Sequence, residues 1–274
     1  MILFILLFQI SSLGESLTFH APFDSTLSAS FAIGDPELYQ ASEWDERHNA
    51  DIATLSDPSM SLVDHGVHGG ALKFSQYVEP LYFFKAKDNF TYQTQQWNAT
   101  VSFWLKLDPN EDLTDGQWCD PIMITASAWD DGSVFVDFTR DPPRQFRFAA
   151  FADHEIWNPD NDPWEEMAPG VMPMITISDP PFENESWTHV VLVLHEFNTD
   201  TDSAVLSGYF NGELAGELTG RDQAITWDTE EVLIQLGLQF RGEIDDLSLF
   251  NRALSAQEVK QIYSLPEGIA SLYN

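Results

Sequence analysis

The chain has 274 residues and carries 44 Asp and Glu against 12 Lys and Arg, a formal charge of −32. Nucleic acid and anionic membrane surfaces bind through surplus Lys and Arg, so this balance argues against both as partners. With 43% hydrophobic and 13% aromatic residues, including 9 Trp and 20 Phe, the composition argues equally against a disordered polyelectrolyte, because it supplies ample core. Spread over the ~11,000 Å² expected for a folded chain of this mass, the net charge averages roughly one per 370 Å². At a Debye length of about 8 Å such charges are screened from one another, and only local clusters carry specific chemistry.

Met1 to Ile10 are apolar apart from Gln9, and small or polar residues follow at Ser11, Ser12, Gly14 and Ser16. This pattern predicts a secretory signal peptide over residues 1–16, with Ser12 and Gly14 as small residues of the cleavage zone, although no Lys or Arg precedes the apolar run. The run falls well short of the about 20 residues of a membrane-spanning helix. The expectation is a chain without an integral membrane span after cleavage, secreted, at the cell surface or in a periplasm, with residues 17–274 forming one domain. Cys119 is the sole cysteine, so no intramolecular disulfide can form and the core alone must hold the fold.

From there the chain alternates. Gly70 to Phe74, Val101 to Leu107, Pro121 to Ala126, Val134 to Phe138, Gln145 to Phe151, Trp187 to Phe197, Val205 to Phe210, Val232 to Leu238 and Ile244 to Phe250 are short runs rich in Val, Ile, Phe and Trp, bounded by Asp, Asn, Gly and Pro. Period-2 runs of this kind predict strands, and so many of them predict an all-β sandwich or barrel. Asp153 to Pro181, with six prolines after Asn158, reads as a long irregular loop of functional or mobile character. Asn211-Gly212 predicts a type I′ hairpin turn. In Gly242 to Phe250, Ile244, Leu247 and Leu249 cannot share a face at strict period 2, and a bulge at Asp245-Asp246 would restore the phase. Ser255 and Glu258 form a capping box for a helix over Ala256 to about Tyr263, stapled by Leu254 and Val259 and ended before Pro266.

Four pieces, in order, resemble the LamG-like jelly-roll domains of the concanavalin A-like lectin/glucanase superfamily: Gly69-Gly70-Ala71-Leu72-Lys73-Phe74; Thr100-Val101-Ser102-Phe103-Trp104-Leu105; Trp187-Thr188-His189-Val190-Val191 with Tyr209-Phe210-Asn211-Gly212; and Gly242 to Ser255, which joins the bulged strand to the capped helix. The resemblance implies a jelly-roll sandwich of two curved antiparallel sheets with one short C-terminal helix, whose concave face commonly binds glycans and in some relatives carries hydrolase or lyase residues. It also implies a structural Ca²⁺ where the first strand meets the last, with Asp24 and Asp245 as the matching carboxylates.

No complete catalytic set accompanies that fold. Glu43-Trp44-Asp45 and Glu243-Ile244-Asp245 each begin the Glu-x-Asp-x-x-Glu pattern of the laminarinases and lack its final Glu. Tyr82-Phe83-Phe84-Lys85-Ala86 resembles a lyase strand but has no Arg-rich partner. Neither a Gly-x-Ser-x-Gly elbow nor a His-Glu-x-x-His helix occurs. His189 and His195 share a strand face about 20 Å apart, too far to share one metal ion. The remaining signal is aromatic. Trp157 and Trp164, flanked by Asp160 and Asp162, combine ring area with aimed hydrogen-bonding groups as sugar sites do, and Trp129 lies in another polar stretch. The sequence therefore predicts an exported, non-catalytic module that binds a glycan or polysaccharide. A polysaccharide-degrading enzyme and a protein-interaction module on the same fold are the alternatives.

Overall fold

The computed structural model describes residues 12–77, 81–114, 116–168 and 170–273. Among them, seventeen strands form two antiparallel sheets of nine and eight. The nine-stranded sheet runs Glu213–Arg221, Ala204–Phe210, Thr188–Phe197, Trp97–Lys106, Gly242–Phe250, Leu17–Ala21, Phe31–Ala32. Ala71–Phe74 also pairs with its Gly242–Phe250 strand and carries Met60–Val63. The eight-stranded sheet runs Met174–Ile177, Phe146–Phe151, Ser133–Phe138, Cys119–Thr125, Leu233–Leu238, Leu81–Lys85, Tyr39–Ala41, Asp51–Ile52. This is the all-β sandwich that the strand pattern predicts, in the jelly-roll form that the resemblance implies.

One core fills the space between the sheets. Phe103, Val190, Leu192 and Leu249 from one sheet meet Ile122, Val136, Phe148 and Ile234 from the other, all essentially fully buried. The alternation does this work, because every second side chain of a strand points inward. The other face of the nine-stranded sheet is covered as well. The Ala256–Tyr263 helix, with the capping box in place at Ser255 and Glu258, buries Val259 and Ile262 against Val191, Val193 and Tyr209.

The turn and bulge fall where the residues dictate. Asn211 and Gly212 take φ of 50° and 79° between their strands, as a type I′ turn requires. Pairing with Trp97–Lys106 shifts register between Asp245 and Ser248, and Asp246 sits at φ 49°. At that bulge the last strand changes neighbour, from Ala71–Phe74 on one side to Leu17–Ala21 on the other.

Two expectations need restating. The stretch from Asp153 to Pro181 is not wholly irregular: Met174–Ile177 pairs with Phe146–Ala149 at the sheet edge, and Pro173 and Pro180 bracket a run too short to show alternation. The predicted leader lies mostly outside the described residues. Its last residues, 12–16, are helical, and Leu13 is fully buried among Leu17, Phe250 and Ile269. Among the described residues, no helix is long and apolar enough to cross a membrane.

Candidate functional site

The outer face of the eight-stranded sheet carries short helical turns, His154–Trp157 and Trp164–Glu166, whose tryptophans pack on Met123, Phe135 and Phe151, and beside them it holds a groove of about 770 Å³, within the roughly 300–1,000 Å³ of ligand sites. Strand alternation builds it. In Ser133–Phe138, Val134 and Val136 enter the core while Phe135 and Asp137 face the groove; in Phe146–Phe151, Arg147 lies between the core residues Phe146 and Phe148. Asp120, Met123 and Thr125 come from the adjoining strand and Gln235 from the next.

Its walls are aromatic. Trp44, Trp118, Trp129 and Trp164 line the groove, with Trp118 and Trp129 exposed by 44% and 43%. Large aromatics are seldom left so open without use. Trp129 meets Trp164 edge to face at 5.1 Å and leans on Phe151 at 5.6 Å, so these indoles are held in place rather than free to collapse.

The floor is polar and strongly coupled. Asp137 and Arg147 are direct cross-strand partners. The guanidinium grips the carboxylate with two hydrogen bonds, Nε to Oδ1 at 2.7 Å and Nη2 to Oδ2, the fork geometry that makes Arg–carboxylate pairs strong and directional. The Trp118 ring lies 4.5 Å from Arg147 Cζ and adds a cation–π contact. Burial pushes the Asp137 carboxyl upward against the pull of Arg147. Asp120 is pushed well above the carboxylate range by burial and by the Asp137 charge, with Arg147 only partly offsetting them. The floor therefore offers an acid whose burial favours its uncharged form, an internally compensated ion pair and an amide, groups that hydrogen-bond hydroxyls.

The residues anticipated from sequence are distributed unevenly around this groove. Trp129 and Trp164 line it. Trp157 packs behind, edge-on to Phe151 at 4.9 Å, and its indole N–H donates to the Asp130 carbonyl. Asp160 and Asp162 are solvent-exposed on the adjoining loop, where the Asp162 N–H donates to Asn158 Oδ1 at 2.9 Å. Asp120, Asp137 and Arg147 are not among the residues expected from sequence; their signal there is a charge interrupting Val-Phe-Val-Asp-Phe and another in Phe-Arg-Phe, polar positions on otherwise apolar strands.

Asp24 and Asp245 both bond to the 66–70 turn. Asp24 Oδ1 accepts from the Gly70 N–H at 2.7 Å, and Asp245 Oδ2 accepts from the Val67 N–H at 2.6 Å, so both carboxylates grip the 66–70 turn. A Cβ at Gly69, where φ is 128°, would stand 1.9 Å from Asp24 Oδ1; one at Gly66 would stand 1.9 Å from the Gly70 carbonyl and 2.6 Å from Asp245 Oδ2. Only glycine leaves these oxygens converging. Burial and the Asp246 charge, with Asp24 adding to them, raise Asp245 to about 8. Adjacent Asp246 stays below the usual range despite burial, because His20 and His68 bond to its two oxygens at 2.8 and 2.7 Å. Carboxylate oxygens are the donor type that Ca²⁺ takes, and here Asp245 Oδ1 also accepts from the Asp246 N–H at 2.7 Å. Among the described residues no group of three or more His, Cys, Asp or Glu is arranged around a metal, so carbonyls and water would have to complete the shell.

His189 is structural. It is buried, bonds through Nε2 to Ser102 Oγ at 2.8 Å and packs against Trp104 and Tyr263. Burial drives its pKa down to about 3, which keeps it neutral.

The Laminin_G_3 family model, of the concanavalin A-like lectin/glucanases superfamily, matches residues 84–260, more than half of the chain. The chain belongs to this superfamily. No curated protein sequence matches it. Among solved structures, this superfamily member is similar to domain 4 of AbnA, a GH43 extracellular arabinanase from Geobacillus stearothermophilus solved in complex with arabinotriose, at 16% identity and TM-score 0.55, over 90% of this chain and 97% of that one. It is also similar to the receptor binding domain of botulinum neurotoxin D, at 12% identity and TM-score 0.58, over 92% of this chain, and to the binding domain of Paraclostridial Mosquitocidal Protein 1, at 13% identity and TM-score 0.54, over 92% of this chain. The chain spans about half the length of those two binding domains. At these identities the likeness is one of fold.

Proposed function

We propose that the chain is an exported, non-catalytic recognition module that binds a glycan in the groove on the eight-stranded sheet. The observation that carries this reading is the convergence, in one groove, of partly exposed indoles at Trp118, Trp129 and Trp164 with the hydrogen-bonding floor of Asp120, Asp137, Arg147 and Gln235. Sugar rings stack their C–H faces on indoles and present hydroxyls to such a floor. The arabinotriose complex of domain 4 of AbnA shows this fold carrying a glycan in a neighbour, which supports the reading. Titration calorimetry with arabinotriose and with arabinan, galactan, xyloglucan and mixed-linkage β-glucan tests the reading. Saturable binding that falls at least tenfold in Trp129→Ala supports it, and absence of binding to all five overturns it.

A hydrolase is the second reading, favoured by one observation: two buried carboxylates, Asp120 and Asp137, sit on the same floor, one pushed well above the range of a free acid. Glycoside hydrolysis needs an acid and a free carboxylate across the scissile bond. Arg147 holds both Asp137 oxygens, which speaks for recognition. Reducing-sugar release from the bound polysaccharides that stops in Asp120→Asn would establish the enzyme instead.

At the strand junction we propose a structural Ca²⁺ held by Asp24 and Asp245, tying the first strand and the 66–70 turn to the last strand. Binding to the folded state alone stabilises it in proportion to the logarithm of saturation. The melting temperature should rise in millimolar Ca²⁺ relative to chelator, and the rise should vanish in Asp245→Asn; equal melting in both conditions would remove the metal.

A further inference from the structure

The glycan reading leaves open what kind of glycan, and the charges of the groove bear on this directly. Its lining carries four carboxylates, Glu43, Asp120, Asp137 and Glu165, against two guanidiniums, Arg140 and Arg147. Proteins that capture acidic polysaccharides do so with guanidinium groups whose forks remain free for a carboxylate or sulfate. Arg147 is not free. Asp137 occupies the fork from the neighbouring strand, and the Trp118 ring lies against the guanidinium. The second cation, Arg140, is spent in part on the backbone, its Nε donating to the Gly116 carbonyl at 2.6 Å, and the exposed Glu43 and Glu165 stand on the same groove.

We propose that the groove selects uncharged polysaccharides, with the cross-strand Asp137–Arg147 pair as the device that sets the selection. This rests on the glycan reading of the groove. The pair keeps a strong, directional set of hydrogen-bonding atoms on the floor for hydroxyls while cancelling the charge that would draw in a uronate or sulfate. The rim carboxylates then repel an anionic chain at the close range where screening is weakest. Burial that favours the uncharged form of Asp120 acts in the same sense, since a neutral acid can donate to a hydroxyl.

The selection follows from three measurements by affinity electrophoresis and calorimetry, using the neutral panel above beside polygalacturonate, alginate and heparin. The wild-type protein should bind at least one neutral polysaccharide with less than a twofold change between 50 and 500 mM NaCl and should bind the three anionic chains at least tenfold more weakly. Asp137→Asn, which removes the charge that compensates Arg147 and one of the two oxygens in its fork, should gain at least tenfold in affinity for polygalacturonate, and that gain should disappear at 500 mM NaCl. Should Asp137→Asn fail to fold, the surface double variant Glu43→Gln, Glu165→Gln provides the same test, with at least a threefold rise in the ratio of anionic to neutral binding expected. Wild-type binding of an anionic chain as tightly as a neutral one overturns the selection while leaving the glycan reading intact, and so does an unchanged ratio in whichever folded variant is measured. Binding of neither class removes the glycan reading, and the selection with it.

Discussion

The two outer faces of the sandwich start from the same material and end differently. Each carries polar and charged residues on strands that are otherwise apolar. On the nine-stranded sheet those beneath the C-terminal helix and the segment after it lie under cover, where Ser102 bonds His189, Asp246 bonds His20 and His68, and Tyr263 stacks on Trp104, while Lys73, Lys106 and Glu243 line a separate pocket of about 530 Å³. On the eight-stranded sheet Asp120, Asp137, Arg147 and Gln235 lie at the floor of an open groove walled by tryptophans. A sealed polar group must find an internal partner, because an unpaired one is costly. An open one is free to meet a ligand. The C-terminal helix therefore covers part of one face, and the tryptophan-walled groove stays open on the other.

The sharpest way to break this comparison is to damage each face at one buried position. Val259→Asp puts an unpaired carboxylate under the helix, and Asp137→Ala strands the Arg147 guanidinium; each should cost about 3–5 kcal/mol in denaturant unfolding. The faces then separate by ligand response, since any folded fraction of Val259→Asp should retain glycan affinity. A smaller effect concerns pH. Asp120 has its pKa raised by burial and Asp137, so the folded state holds a proton that the unfolded chain releases above about pH 4. Its contribution to stability is complete below that pH and is lost as pH rises toward the folded value. Asp120→Asn should make the decline in melting temperature above about pH 4 shallower. A slope identical to that of the parent protein would mean that Asp120 is already ionised.

The smallest effect belongs to the helix that seals the other face. Glu258 closes the capping box and pairs with Arg252 at 2.7 Å, which with the Ser255 contacts lowers its pKa to about 2 despite partial burial. Its contribution is present above the ordinary carboxylate range and is lost as pH falls toward 2. Glu258→Gln should cost about 1 kcal/mol at neutral pH and leave glycan binding untouched.

The sealed face was more legible in the sequence than the open one. Capping box, staple, hairpin turn and bulge are local signals, each written in fewer than ten residues, and the helix falls on Ala256–Tyr263 as the spacing implies. The groove is assembled from residues far apart in sequence. Asp137 and Arg147 are ten residues apart and Asp120 and Gln235 more than a hundred, and only strand order brings them to one floor. Trp129 and Trp164 could be found as aromatics in polar loops, whereas the same signal also marked Trp157, whose ring packs onto Phe151 and whose N–H is used by Asp130. Composition cannot tell a tryptophan that walls a groove from one that supports the wall.

The most direct test of the account compares wild type with Trp118→Ala and Trp129→Ala for binding to the neutral polysaccharides, each beside its melting curve. Both rings are more than 40% exposed, so their loss should cost the fold less than about 1–2 kcal/mol, while stacking lost from the groove should weaken binding by at least tenfold. Unchanged affinity in both variants, with melting curves intact, would contradict the placement of the glycan site on this face.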